Sequence, residues 1–168
     1  VIEAYLHDPG LIEPVVLVLG PFMRAEDREE IRTRVEGHGA FTLIDFDNKL
    51  EAVMQSAAAV VSMGGYNTFC EILSFDCRAL IVPRTRPREE QLIRARRAAE
   101  LDLVDMILPE EAADPGAMAA ALRRLAVRPR PSQTAYGKRP LDGLQAIGDL
   151  VQELMLARVA AVPHAFQH

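Results

Sequence analysis

Five short apolar runs punctuate the chain: residues 15–20 (VVLVLG), 41–45 (FTLID), 58–63 (AAVVSM), 79–82 (ALIV) and 104–108 (VDMIL). Each is too short for a helix and reads as a strand; 58–63 is rich enough in valine to be buried, and 15–20 is continuously apolar, as in a strand buried on both faces. Between them lie stretches with helical spacing. Residues 25–36 form a charged helix stopped by Gly37 and Gly39. Residues 48–58 place Leu50, Val53, Met54 and Ala57 on one face. Helices are also predicted from Asn67 onward, over 89–101, over 115–127 and over 141–159. In the 89–101 helix, Glu90 and Arg94 are spaced i,i+4 as an exposed ion pair. Residues 1–14 show no period and contain the turn signal Asp8-Pro9-Gly10, so they read as the remnant of a linker. Residues 128–140 carry prolines and a glycine and read as a loop, and 160–168 as a tail. Strand and helix alternate five times, which predicts a doubly wound parallel sheet, Rossmann-like, over 15–159.

One stretch has more chemistry than the rest. After the 58–63 strand, Gly64-Gly65 breaks the chain and a helix follows. Asn67, Glu71 and Ser74 share one side of it, with Phe69, Ile72 and Leu73 on the other. A strand, a glycine turn and a helix N-terminus make an anion site, because the first-turn N–H groups are unpaired and the helix dipole favours negative charge. Asn67 and Glu71 are one turn apart, about 6 Å along the axis. That span suits a diphosphate at one end and a ribose diol on the carboxylate at the other. The plainer alternative is an ordinary strand-to-helix turn, with Asn67 as N-cap and Glu71 a solvated helix residue, and the stretch alone leaves it open.

A second stretch, 83–91 (PRTRPREEQ), follows the next strand. Glu90 and Gln91 offer a carboxylate and an amide to vicinal hydroxyls. Arg84, Arg86 and Arg88 could add charge at a diphosphate site. Singly, these residues suit a solvated loop and an acidic helix start equally well. In an open parallel sheet, ligands bind beyond the carboxyl ends of the strands, where Gly20, Phe46, Gly64-Gly65 and Arg84 all fall.

Composition narrows the field. The 168 residues are 49% hydrophobic, enough for a full core, with no tryptophan and only 5% aromatics. Twenty-four acidic against 19 basic residues, a net charge of −5, argue against general nucleic-acid binding. No apolar run approaches the roughly 20 residues of a membrane span, and no signal peptide is visible. Cys70 and Cys77 fit neither a redox pair nor a zinc framework and are expected as buried, reduced thiols in a cytoplasmic protein. His7, His38, His164 and His168 have no metal-ligand spacing and are expected to be solvated.

The run Met63-Gly64-Gly65-Tyr66-Asn67-Thr68-Phe69-Cys70-Glu71, with Glu90-Gln91 after it, resembles the donor half of GT-B glycosyltransferases. The nearest patterns are the nucleotide-sugar glycosyltransferase signature (His-x-Gly-Trp-Asn-Ser-x-x-Glu, later an acidic-Gln pair) and the peptidoglycan N-acetylglucosaminyltransferase, MurG-like, group. The resemblance implies that Gly64, Gly65, Asn67 and Thr68 hold the donor diphosphate. It gives Glu71 the ribose hydroxyls, and Glu90 and Gln91 the transferred sugar. Gly20 and Arg86 would border the donor, and Phe46 would lie against the base. The implied reaction transfers a hexose from a nucleotide-diphosphate sugar, a UDP-sugar first among them, to an acceptor hydroxyl, with no metal and no cofactor besides that substrate.

In such enzymes the acceptor and the general base belong to an N-terminal lobe. The expectation is therefore that this chain is the C-terminal lobe, inactive alone, with its own N-terminal lobe and an unknown acceptor as partners. Peripheral membrane contact would come through that other lobe. Three departures stand out: Met63 replaces the usual histidine, 20–22 lacks a Gly-Gly-Ser-type loop, and Asp76-Cys77-Arg78 stands where Gly-x-Pro is common. Two alternatives remain, a nucleotide-sugar 2-epimerase lobe and a non-catalytic nucleotide-sugar-binding module.

Overall fold

The computed structural model describes residues 1–45 and 50–135. Within them run α1 (Ile2–His7), β1 (Val15–Leu19), α2 (Ala25–Val35), β2 (Phe41–Asp45), α3 (Leu50–Ser56), β3 (Ala59–Ser62) and α4 (Tyr66–Ser74). Then come β4 (Arg78–Ile81), α5 (Glu90–Glu100), β5 (Asp105–Met106), α6 (Pro109–Ala112) and α7 (Pro115–Val127), with a 3-10 turn at Pro131–Gln133. All strand pairs are parallel. β1 pairs with β2, from Val15 opposite Phe41 to Leu19 opposite Asp45. β4 lies between β3 and β5, with Ala59 opposite Arg78 and Leu80 opposite Asp105. The α/β alternation read from the sequence is the observed architecture, its strands paired in a two-stranded and a three-stranded parallel sheet; β1 is not buried on both faces, since Val16 is exposed. The helix expected over 141–159 and the tail lie outside the described residues.

β4 explains why helices cover both faces. Side chains alternate along a strand, so Ala79 and Ile81 point one way and Leu80 the other. Ala79 and Ile81 join a core of Met54, Ile72, Leu73, Cys77, Ala95, Ala98, Leu103 and Val104, built with α3, α4 and α5. Leu80 joins Ala4, Tyr5, Leu11, Ile107, Met118, Ala119, Ala121 and Leu125, built with α1 and α7. Burying each Ile or Leu of this strand contributes about 1.5–3 kcal/mol. Burial pushes the Cys77 thiol pKa up; Cys70, expected to be buried, is only half-buried on α4, and neither cysteine is in a disulfide.

The amino-terminal stretch departs from expectation. Residues 2–7 are helical, and Ala4, Tyr5 and Leu11 are buried, so 1–14 contributes to the core where a linker was expected. The Tyr5 hydroxyl donates to the Glu13 carbonyl at 3.0 Å, and burial raises its pKa. His38 is not a solvated histidine either. Its ring packs 5.0 Å from Phe41 and 6.4 Å from Tyr5, and its Nδ1 is buried without a partner among the described residues. The fifth strand shrinks to two residues, and α6 occupies 109–112, where no element was predicted.

α4 and α5 end in the same way. Asp76 and Asp102 adopt left-handed backbone, at φ 53° and 58°. The Cys77 N–H reaches back to the Ile72 carbonyl and the Asp76 N–H to that of Leu73, and the set repeats from Leu103 to Ala98 and from Asp102 to Ala99. This is a Schellman ending, usually completed by glycine. Asp76 thus fills the backbone role of the Gly found in the related pattern, and its carboxylate accepts from Ser132 N–H (2.8 Å) and Ser132 Oγ (2.7 Å).

Candidate functional site

The strongest site geometry begins where β3 ends. Gly64 sits at φ +69°, and a Cβ there would lie 2.9 Å from Ile81 Cγ2 on the neighbouring strand. Positive φ and this close approach together require glycine. The Gly64 N–H donates to Ser62 Oγ at 3.0 Å, and its carbonyl accepts from Arg94 Nη1 at 2.9 Å. Both polar groups of this residue are therefore tied, one to its own strand and one to α5.

α4 starts immediately after. Its N-cap is Gly65, which has no side chain to cap with, and nothing within 4 Å of where a Cβ would stand. The first helical bond runs from Phe69 N–H to the Gly65 carbonyl, 2.8 Å. Among the described residues, the N–H groups of Gly65, Tyr66, Asn67 and Thr68 donate to no protein acceptor. The helix therefore presents four unpaired donors at its positive end. The amphipathic split is as expected, with Ile72 and Leu73 buried, Asn67 and Ser74 exposed, and Glu71 half-buried one turn in. The Glu71 carboxylate makes no hydrogen bond or ion pair among the described residues.

The second stretch lies beyond the end of β4. Ser62 and Val82 are linked there by a 2.9 Å backbone bond, so the two strand ends are neighbours. Arg84, Arg86, Arg88, Glu89 and Glu90 are exposed. Gln91 closes the loop: its Oε1 accepts from Arg84 N–H at 3.1 Å, leaving its amide nitrogen with no partner among the described residues. Arg94 does not form the expected ion pair with Glu90. Its guanidinium turns inward to the Gly64 carbonyl and lies over Tyr66 and Phe69, 5.4 and 5.8 Å from the ring centroids. The signal for this was present in the spacing, since positions 91, 94 and 98 share one face of α5.

The structure thus brings 62–71 and 84–94 together. Gly20 follows β1 in the other strand pair, where its carbonyl accepts from Arg28 Nη2 at 2.7 Å. Arg28 also reaches the Met23 and Pro21 carbonyls and pairs with Asp45 at 3.1 Å, a fixing role that the charge pattern of α2 did not single out. Phe46 lies outside the described residues. Among the described residues no group of His, Cys, Asp and Glu gathers to hold a metal ion, and no helix is long and apolar enough to cross a membrane.

Residues 14–141 match the glycosyltransferase family 28 C-terminal domain. The fold is similar to that of glycosyltransferase VinC, solved in complex with DTDP, at a TM-score of 0.58 and 23% identity over 88% of this chain and 43% of that one. The calicheamicin glycosyltransferase CalG4 aligns at a TM-score of 0.48 and 16% identity, over 91% of this chain and 44% of that one. The chain spans less than half the length of either. No curated protein matches the sequence.

Proposed function

The chain belongs to the glycosyltransferase family 28 C-terminal domains, and from that membership we propose that it is the donor-binding half of a GT-B glycosyltransferase. The donor is a nucleotide-diphosphate sugar, and the transferred group a hexose passed to an acceptor hydroxyl. The observation that carries this reading is the uncapped start of α4, with four N–H donors behind a turn that only glycine can make. Gly64 shapes the turn, and the N–H groups of Gly65, Asn67 and Thr68 receive the diphosphate. Glu71, half-buried and without a protein partner among the described residues, accepts from the ribose hydroxyls. Glu90 and the Gln91 amide nitrogen face the sugar, and the exposed Arg86 and Arg84 add positive charge.

As the sugar leaves, negative charge grows on the diphosphate. Fixed N–H dipoles stabilise that charge without rearrangement, so the leaving group needs no divalent metal. Attack requires an acceptor hydroxyl and a positioned base, which this reading assigns to a separate N-terminal lobe. The chain alone then binds donor and transfers nothing.

Titration calorimetry of the chain with UDP and with deoxythymidine diphosphate, with and without EDTA, tests the proposal. UDP is the expected preference, and the DTDP complex of VinC makes the thymidine nucleotide the natural competitor. Binding that survives EDTA is the expected result. Silence towards both nucleotides, or strict dependence on a divalent metal, would overturn it.

A further inference from the structure

We infer that Arg94 is a positioning residue: it holds the glycine turn that presents α4 to the donor diphosphate, and so couples the sugar-side helix α5 to the phosphate-side helix α4. The inference rests on the donor-binding reading above. Three observations carry it. The guanidinium donates to the carbonyl of Gly64, the residue whose backbone conformation turns the chain from β3 into α4. Its plane is seated against Tyr66 and Phe69, which stand three apart on one face of α4 and fix where the arginine can reach. And Arg94 lies one turn beyond Glu90 and Gln91 on α5, so a shift of that helix is passed directly to the turn.

Once the Gly64 carbonyl is held from one side and its N–H is held by Ser62 from the other, the next peptide plane is fixed. The N–H group of Gly65 then points where the diphosphate sits before any ligand arrives. The arginine also brings a positive charge close to the turn. Its effect is on the diphosphate, not on the base or the ribose. That separates a positioning role from general support of the fold, because a merely structural arginine would change stability and leave ligand selectivity alone.

The experiment compares the full chain with Arg94→Ala, Arg94→Gln and Arg94→Lys, each titrated with UDP and with uridine, or with DTDP and thymidine if that base binds tighter. The expected result for Arg94→Ala and Arg94→Gln is a loss of about tenfold or more in diphosphate affinity, with nucleoside affinity unchanged. Arg94→Lys, which can still donate to the Gly64 carbonyl, recovers most of that loss. Gln keeps a polar side chain of similar girth, so it gives the reading even if the alanine variant does not fold. Equal losses for diphosphate and nucleoside, or no loss in either, would overturn the positioning role. Failure of the unsubstituted chain to bind any of the four ligands is a different outcome, which removes the donor-binding reading and this inference with it.

Discussion

Two glycine turns follow parallel strands in this molecule, and they are built in opposite ways. The turn after β1, Gly20 to Met23, has Gly20 in open space, with nothing within 4 Å of a would-be Cβ, and Phe22 98% exposed. It is held from outside, by the single side chain of Arg28 reaching three of its carbonyls. The turn after β3 is held from within. Gly64 is pressed against Ile81, and Ser62 and Arg94 take both its polar groups. A glycine in a loop after a strand therefore carries little information by itself. What sets apart the turn proposed to face the donor is a backbone that could not be built from any other residue, since α2 and α4 both begin without a side-chain cap.

Substitutions can break this contrast, and the largest effect belongs at position 64. Gly64→Ala combines left-handed strain with a contact against Ile81, at a cost of about 1–3 kcal/mol. We expect a melting temperature lower by several degrees, read by calorimetric scanning, together with loss of nucleotide binding. Glu71→Ala comes next and should separate binding from folding. With Glu71 accepting two ribose hydrogen bonds as proposed, its removal should weaken nucleoside diphosphate affinity roughly tenfold or more, while the melting temperature stays within a degree or so. Unchanged affinity would return Glu71 to the status of a solvated helix residue. Arg28→Ala should loosen only the other turn. The Met23 amide, bonded to the Gly20 carbonyl at 3.1 Å, would exchange about fivefold faster, equivalent to about 1 kcal/mol of local opening. The smallest effect is Gly20→Ala, expected within about 0.5 kcal/mol of the parent in thermal unfolding. A large loss there would mean the two turns are not as different as their surroundings indicate.

Much of the architecture was legible because burial on a strand repeats every two residues and on a helix every 3.6. The α4 stripe of Phe69, Ile72 and Leu73 and the β4 run are direct products of those periods. α1 was not legible: six residues are under two turns, and what makes Ala4 and Tyr5 buried is contact with distant α7 and β4 residues. The partner of Arg94 is not legible from spacing because a helix viewed alone offers it Glu90, whereas the fold offers it a carbonyl on another element. Asp76 read as a departure from glycine, yet its φ of 53° shows the backbone requirement is met by a different side chain. The glycine turn and Glu71 were visible from residue types and spacing. Their ties to Ser62, Ile81 and Arg94 depend on side chains from β3, β4 and α5 meeting in space.

The segment beyond α7 sets a limit on how far the chain can be trimmed. The Arg128 carbonyl accepts from Arg78 Nε, its guanidinium pairs with Asp105, Arg130 donates to the Asp76 carbonyl at 3.0 Å, and Pro131 is fully buried. Loss of the chain after Val127 would take away the partners of two strands and of the Asp76 carboxylate at once. Limited proteolysis should accordingly leave a resistant fragment that runs past Gln133, and the shortest piece able to fold alone must include these residues.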